Sequence, residues 1–557
     1  MKYRDSVSVF DLLATTFAGS AQAQAVKTTA TNANVANLLA PFLSLNSTAI
    51  GQQTLQLNLS QTIALNNGAS PARRQLAISD SAQPNTAISS VVLANGSILR
   101  LGLDGSLAGG LPLQAAKGRS TIQGYQPAGG LGATLGPIFQ AGIRASTASS
   151  GPLPATFNLL GSAHAFTTAD LSFAKSYFAT GAADHPDNRP AGFKLVPAVA
   201  PAGYTLPTFN GLPNTTNSVY DLAYGVTNTQ PGQGIDGNSR PVQVSTRINI
   251  FDGSKPSDHV TGTAFPSGHT TVGYTGSYML AMLVPQQYRS LLLRGSEYGE
   301  SRIVLGVHYP LDIIAARALS AYDLAQAFTN PAYIDNPAVT GTAINLPALF
   351  VKAQGELQAY LAAQCGNTVA ACAAGAPNTT GNPYLPSAAN QAAYQARLTY
   401  GLPTLSFAQA PREAAPAGGP DASILLAPLY GGSTAAARTL APNGGLYGQL
   451  STGTINQIVV NTETNALAAF YGTPLSYWSR IDLYAAAGYF GNVTGTLRMD
   501  ATDRLGIDVG IGNGGALYAN GTIAGAVSVN AGGLLGGTGH VGGVNALSGG
   551  TVAPGNS

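Results

Sequence analysis

From about residue 155 to 480 the apolar positions recur at three- and four-residue intervals in successive runs: "AFTTADLSFAKSYFATGA", "TVGYTGSYMLAMLV", "LDIIAARALSAYDLAQAF", "LPALFVKAQGELQAYLAA" and "TNALAAFYG". That spacing gathers apolar side chains on one stripe of a helix, so each run predicts a helix with a buried face. Proline-rich connections such as "LPTFNGLPNTT" separate the runs, because proline lacks the N–H that would carry a helix onward. Upstream, "VANLLAPFLSLN" and "LQLNLSQTIALNN" predict helical turns. "SSVVLANGSILRLGLDGSLAGG" instead alternates apolar with small residues around an "NGS" turn and predicts a hairpin or loop. The pattern is that of a mainly α domain with long irregular loops.

The tail follows a different rule. From Val509 to Ser557 there is no Asp, Glu, Lys or Arg, and the only aromatic is Tyr518. Short apolar pieces alternate with glycine and asparagine turns in "GNGGALYANGTIAG", "SVNAGGLLGGTGHVGG" and "NALSGGTVAPGNS". Recurring Val, Leu and Ile need a surface to bury against. Stacked coils of a β-solenoid supply one, each coil covering its neighbour, whereas a disordered glycine linker has no use for such residues. Gly537-x-Gly539-x-x-Gly542 imitates a dinucleotide-binding fingerprint, but no helix pattern or acidic residue follows it, so it is a by-product of the repeat. The expected division is 1–25, 26–480 and 481–557, with candidate chemistry at about 233–312.

Composition narrows the function classes. Charged residues make up 9% of the 557 positions, against roughly 25% in ordinary soluble proteins. A net charge of +2 and the lack of any basic run interleaved with aromatics speak against a nucleic-acid partner. No stretch approaches the roughly 18 consecutive apolar residues of a transmembrane helix. The start, "MKYRDSVSVFDLLATTFAGSAQAQA", has a basic opening, an apolar middle interrupted by Asp11, and the small-x-small sites Ala21-Gln22-Ala23 and Ala23-Gln24-Ala25. It reads as a secretory signal, with an ordinary amphipathic helix as the alternative. In an exported protein, Cys365 and Cys372 would form one local disulfide, and inside a cell they would stay reduced.

Six histidines are present, and two of them stand at helix starts. In "AFPSGHTTVGYTGSYMLAML", Pro266 ends one element, Ser267 caps the next and His269 follows Gly268. In "SRIVLGVHYPLD", Pro310 opens a helix and Asp312 stands four residues after His308. That spacing lets the carboxylate accept from Nδ1, fixing the tautomer and leaving Nε2 as nucleophile or base. Arg240, in "GNSRPVQVS", and Arg302 add two guanidiniums, each matched to a pair of phosphate oxygens. The amides at the start of the helix after Pro266 attract anions as well.

Arg-Pro, then Pro-Ser-Gly-His, then Ser-Arg-x5-His-x3-Asp resembles the three-part signature of the phosphatidate phosphatase type 2 superfamily, which includes bacterial class A acid phosphatases and vanadium haloperoxidases. The resemblance implies a helical-bundle, acid phosphatase-like domain. It implies that His308 attacks phosphorus, that Asp312 orients His308, and that His269 protonates the leaving group. It further implies that Arg240, Ser267, Gly268 and Arg302 hold the phosphate oxygens, with no metal or other cofactor. The family's opening lysine falls at Gln233, which donates a hydrogen bond but brings no charge; Lys255 is a substitute that spacing alone suggests. The tail "VNAGGLLGGTGHVGGVNALSGGTVAPGNS" is similar to the autotransporter-associated repeat that precedes an outer-membrane β-barrel.

The expectation is therefore an exported phosphomonoesterase, acting on a small phosphorylated substrate in the periplasm, outer membrane or cell surface, with a barrel or export machinery as possible partner. Two alternatives remain: a haloperoxidase holding vanadate in the same pocket, or a surface-displayed passenger with weak catalysis.

Overall fold

The computed structural model describes residues 34–35, 37–82, 89–92, 98–101, 107–108, 126–178, 219–225, 238–251, 263–330, 345–374, 382–416 and 419–555. The expected signal segment, Gln233 and Lys255 lie outside the described residues. Helices dominate as far as the short turn Tyr489–Gly491, and the first strand of the terminal coils is Thr496–Arg498. The protein is mainly α with a C-terminal β-solenoid.

The longest helices among the described residues frame the first part: α1 (Ala49–Gly68), α2 (Pro71–Ala82), α3 (Gly132–Arg144), α4 (Pro154–Phe178), α5 (Gly268–Leu283), α6 (Tyr288–Val304), α7 (Pro310–Thr329), α8 (Leu346–Cys365), α9 (Ala388–Thr399) and α10 (Thr452–Thr462). Helix α5 is buried at every position and packs against α4, α6 and α7, as a helix without a polar face must. Close packing depends on absent side chains. A Cβ on Gly273 would collide with the Tyr298 ring, and one on Gly295 with Ser277. These glycines let α5 and α6 approach closely, and α6 carries Arg302.

Helix α7 is nearly all buried, and its Arg317 ties the later helices to the bundle. The guanidinium donates to the carbonyls of Ser479 at 2.7 Å, Ile481 at 3.1 Å and Leu398 at 3.3 Å. Cys365, at the end of α8, is disulfide-bonded to Cys372 in the short helix Val369–Ala374.

Two predictions about local structure had different outcomes. The expected hairpin forms, with β1 (Ser89–Val92) antiparallel to β2 (Ile98–Leu101) and β2 to β3 (Leu107–Ala108); its "NGS" turn is outside the described residues. "TNALAAFYG" is not a helix. Ala466–Leu467 is a strand paired with Thr404–Leu405, followed by turns. Ala466 and Leu467 are buried there, the Ala468 amide donates to the Pro403 carbonyl at 2.8 Å, and Gly472 turns the chain at φ +77°. Strand pairing overrides a helical propensity too short to stand alone.

The solenoid is built from parallel strands. One sheet stacks β4 (Thr496–Arg498), β7 (Ala516–Tyr518), β9 (Leu534–Gly537) and β11 (Thr551–Pro554). The other pairs β8 (Thr522–Val529) with β5 (Arg504–Leu505), β6 (Val509–Ile511) and β10 (His540–Ala546). The register places Leu497, Leu517 and Leu535 on one another, and likewise Val509, Val527 and Val544. The glycines that imitate a nucleotide fingerprint serve this stacking. A Cβ on Gly537 would meet the Ala519 backbone, and one on Gly542 the Ala524 carbonyl.

The helical part covers one end of the solenoid. Asp503 accepts from the Ser451 amide at 2.6 Å and the Thr454 hydroxyl at 2.6 Å, and Gly448–Gln449 pairs antiparallel with β5. One buried apolar cluster runs from Val35 to Leu535.

Candidate active site

The third motif forms a sharp corner between α6 and α7. Helix α6 ends where Gly306, at φ +70°, takes a left-handed turn that a Cβ would block against Ile248. The Val307 and His308 amides fold back onto the Arg302 carbonyl at 3.2 and 3.3 Å, and Pro310 opens α7. Helix α1 braces both sides of the corner. Asn66 donates to the Val304 carbonyl at 2.7 Å, and the Asn58 side-chain oxygen accepts the Leu311 amide at 2.9 Å. Those two asparagines satisfy helix-end groups that would otherwise be buried without partners.

His308 is 1% exposed, and its Nδ1 lies 3.1 Å from Asp312 Oδ2. Its Nε2 lies 3.3 Å from Arg240 Nη1, which also donates to the Val307 carbonyl at 3.0 Å. A guanidinium is always a donor, so Nε2 is the unprotonated nitrogen and Nδ1 carries the proton toward Asp312. The tautomer follows from those two contacts.

Asp312 is held by more than its histidine. Oδ2 accepts the Tyr309 amide at 2.9 Å, and Oδ1 accepts the Tyr220 hydroxyl at 2.6 Å. The Tyr220 and Tyr309 rings lie 4.5 Å apart, and the Tyr309 hydroxyl donates to the Ser239 carbonyl at 2.9 Å.

The first and second motifs are anchored on the same corner. The Ala264 amide donates to the Asn238 carbonyl at 2.9 Å, and the Ser267 amide to the Asp312 carbonyl at 3.3 Å. Phe265 stacks on Phe42 with centroids 3.6 Å apart. Ser267 caps α5 as its sequence position predicts, its hydroxyl oxygen accepting the Thr270 amide at 3.4 Å while its O–H donates to Thr270 Oγ1 at 2.9 Å. Gly268 and His269 thereby fall in the first turn of α5, where the amides carry partial positive charge.

The electrostatics follow from burial and neighbours. Burial first, then the charges of Arg240, Lys175, Arg302 and His269, drive His308 well below the ordinary histidine range. Burial pushes Asp312 up to about 7, against the Tyr220 hydroxyl, the Tyr309 amide and the charges of Lys175 and Arg240. The structure thus joins Arg240, His308 and Asp312 by direct contact. It brings His269 and Arg302 close enough to act on His308, and ties Ser267 to Asp312 through the backbone.

Sequence reasoning missed several supporting residues. Tyr309 adjoins His308 in the chain, so its involvement had a signal. Tyr220, Asn58, Asn66 and Lys175 had none, because they arrive from other elements. Ser301, beside Arg302, donates to Asp80 of α2 at 2.6 Å, and Asp80 pairs with Arg294 at 2.5 Å.

Residues 225–330 match the PAP2 superfamily, and the corner, the capped helix and the Arg240–His308–Asp312 chain all fall inside that segment. The chain is 34% identical over 70 residues to a non-specific acid phosphatase of Providencia stuartii, covering 13% of this chain and 28% of that protein. It is 39% identical over 62 residues to an acid phosphatase of Zymomonas mobilis, covering 11% and 24%. A non-specific acid phosphatase of Salmonella typhimurium is 36% identical over 70 residues, with 13% and 28% covered. The chain spans about a quarter of the length of these relatives.

Proposed function

We propose that the protein is an exported acid phosphatase that hydrolyses phosphomonoesters through a phosphohistidine. The observation that carries this reading is the orientation of His308, with Nδ1 toward Asp312 and Nε2 toward Arg240. Nε2 attacks phosphorus, the ester P–O bond breaks, and His269 protonates the departing alkoxide oxygen. Water then attacks the phosphorus of the P–N intermediate and gives its proton to His269, releasing inorganic phosphate and restoring His308. Arg240, Arg302 and the first amides of α5 hold the phosphoryl oxygens as charge builds in the transition state.

The low proton affinity of His308 favours work in mildly acidic solution, since the nucleophile must be neutral to attack. The similarity to acid phosphatases supports the same substrate class. The Cys365–Cys372 disulfide supports export, because such bonds persist in oxidising compartments.

The test is hydrolysis of a chromogenic phosphomonoester by wild type and by His308→Ala. Turnover in wild type with a bell-shaped pH profile, reduced at least about 10³-fold in the variant, is the expected result. Equal activity in both proteins, or a wild type that instead oxidises halide with peroxide once loaded with vanadate, would overturn the proposal.

A further inference from the structure

The segment that opens the first motif brings no charge at Gln233, yet an additional cation stands at the site from a helix outside the matched family segment. Lys175 lies in the last turn of α4, 50 residues before that segment begins. Its ammonium donates to the Thr263 carbonyl at 2.8 Å, just before the Pro-Ser-Gly-His turn. Its Cε would lie 3.6 Å from a Cβ on Gly268, so the stem runs beside the first residue of α5.

The turn of α4 that carries it is fastened to both neighbouring motifs. The Phe178 carbonyl accepts from the Asn238 side chain at 2.6 Å, and the Phe178 ring meets Phe265 edge-on with centroids 5.6 Å apart. These contacts come from two separate segments and fix the turn from two sides. Lys175 is also near enough for its charge to oppose protonation of His308 and to favour ionised Asp312.

We infer that Lys175 is a phosphate-holding cation of this site, placed between the Thr263 carbonyl and the start of α5 to share the anion with Arg240 and Arg302. This rests on the phosphatase reading above and deepens it. A compact ammonium on a flexible stem can swing from a carbonyl to an arriving phosphoryl oxygen while the guanidiniums keep their geometry. In the free site the same charge acts on His308 together with Arg240, Arg302 and His269, while Asp312, held by Tyr220, faces the other ring nitrogen.

The experiment uses full-length protein, wild type, Lys175→Met and Lys175→Arg, with inorganic phosphate binding measured by calorimetry and the pH dependence of kcat/KM measured on a phosphomonoester. Lys175→Met is expected to bind phosphate at least about tenfold more weakly, the size of a lost charge-assisted hydrogen bond. Its acid limb should move to higher pH, because removing a positive neighbour makes His308 easier to protonate. Lys175→Arg should restore most of both. A methionine variant that melts like wild type, binds phosphate within twofold of it and keeps its acid limb overturns the inference. So does an arginine variant no better than methionine. A wild type that binds phosphate without hydrolysing the ester ends the phosphatase reading while leaving the Lys175 comparison readable by calorimetry; a wild type that binds none overturns both.

Discussion

The helical region and the solenoid solve the problem of an interior in opposite ways. The solenoid carries no Asp, Glu, Lys or Arg after Asp508, and its interior is a ladder of like residues: Leu497 on Leu517 on Leu535, Val509 on Val527. The helical region buries Arg302, Arg317, Arg480, Asp80 and Asp312, each at 2% exposure or less. Repetition lets each coil satisfy the next with backbone hydrogen bonds and apolar contact alone. A site that must hold an anion needs fixed charges away from water, and every one of them must find partners from elsewhere in the chain. The comparison shows why the two regions respond to different kinds of damage.

The largest effect is expected at the buried ion pair. Asp80→Ala leaves Arg294 as a buried, 3% exposed guanidinium without this carboxylate and removes the nearer of two acceptors of the Ser301 hydroxyl. The cost should be about 3–5 kcal/mol in denaturant unfolding, with lost phosphatase turnover because Ser301 adjoins Arg302. Hydrogen exchange should show α2 and α6 opening while the β7–β9 ladder stays protected. Equal loosening of both regions would mean that they do not differ in this way.

The converse substitution is Leu517→Ala, which removes the middle rung of the leucine ladder. It should cost about 2–5 kcal/mol, confined to faster exchange in β4, β7 and β9. Activity should be near wild type, since no site residue touches that rung.

A smaller effect is expected from His164 in α4. It is 1% exposed, neither ring nitrogen has a hydrogen-bond partner among the described residues, and burial lowers its pKa to about 3. The unfolded chain therefore takes up a proton at higher pH than the folded one. The stability from neutral His164 is complete above the ordinary value of 6.5 and is lost as pH falls toward 3. Between pH 8 and pH 5 the loss is about 2 kcal/mol. His164→Leu should flatten the pH dependence of the unfolding free energy by that amount, and an unchanged slope would refute it. Exchange in β7 and β9 should be indifferent to pH in this window, since neither strand carries a carboxylate or an imidazole.

Legibility differed between the regions for the same physical reason. The solenoid was readable because its contacts are local and periodic, so one coil predicts the next. The long helices were readable from spacing, as was the Ser267 cap. "TNALAAFYG" was misread because its conformation depends on Thr404–Leu405, far away in sequence. At the site, His308 and Asp312 were readable as a pair because four residues separate them across one turn. Tyr220, Asn58, Asn66, Asp80 and Lys175 were not, since they reach the site from elements outside the three motifs and nothing in their neighbouring residues records the destination.

By itself, then, the sequence determined the helical core, the coiled tail and the residues of the three motifs, because these depend on interactions within a turn or a repeat. The tertiary structure decided the tautomer of His308, the three donors around Asp312 and the arrival of Lys175 beside Gly268. Those outcomes depend on burial and on charges from distant segments, and the strength of an electrostatic interaction is set by distance and dielectric in the folded chain rather than by separation along it.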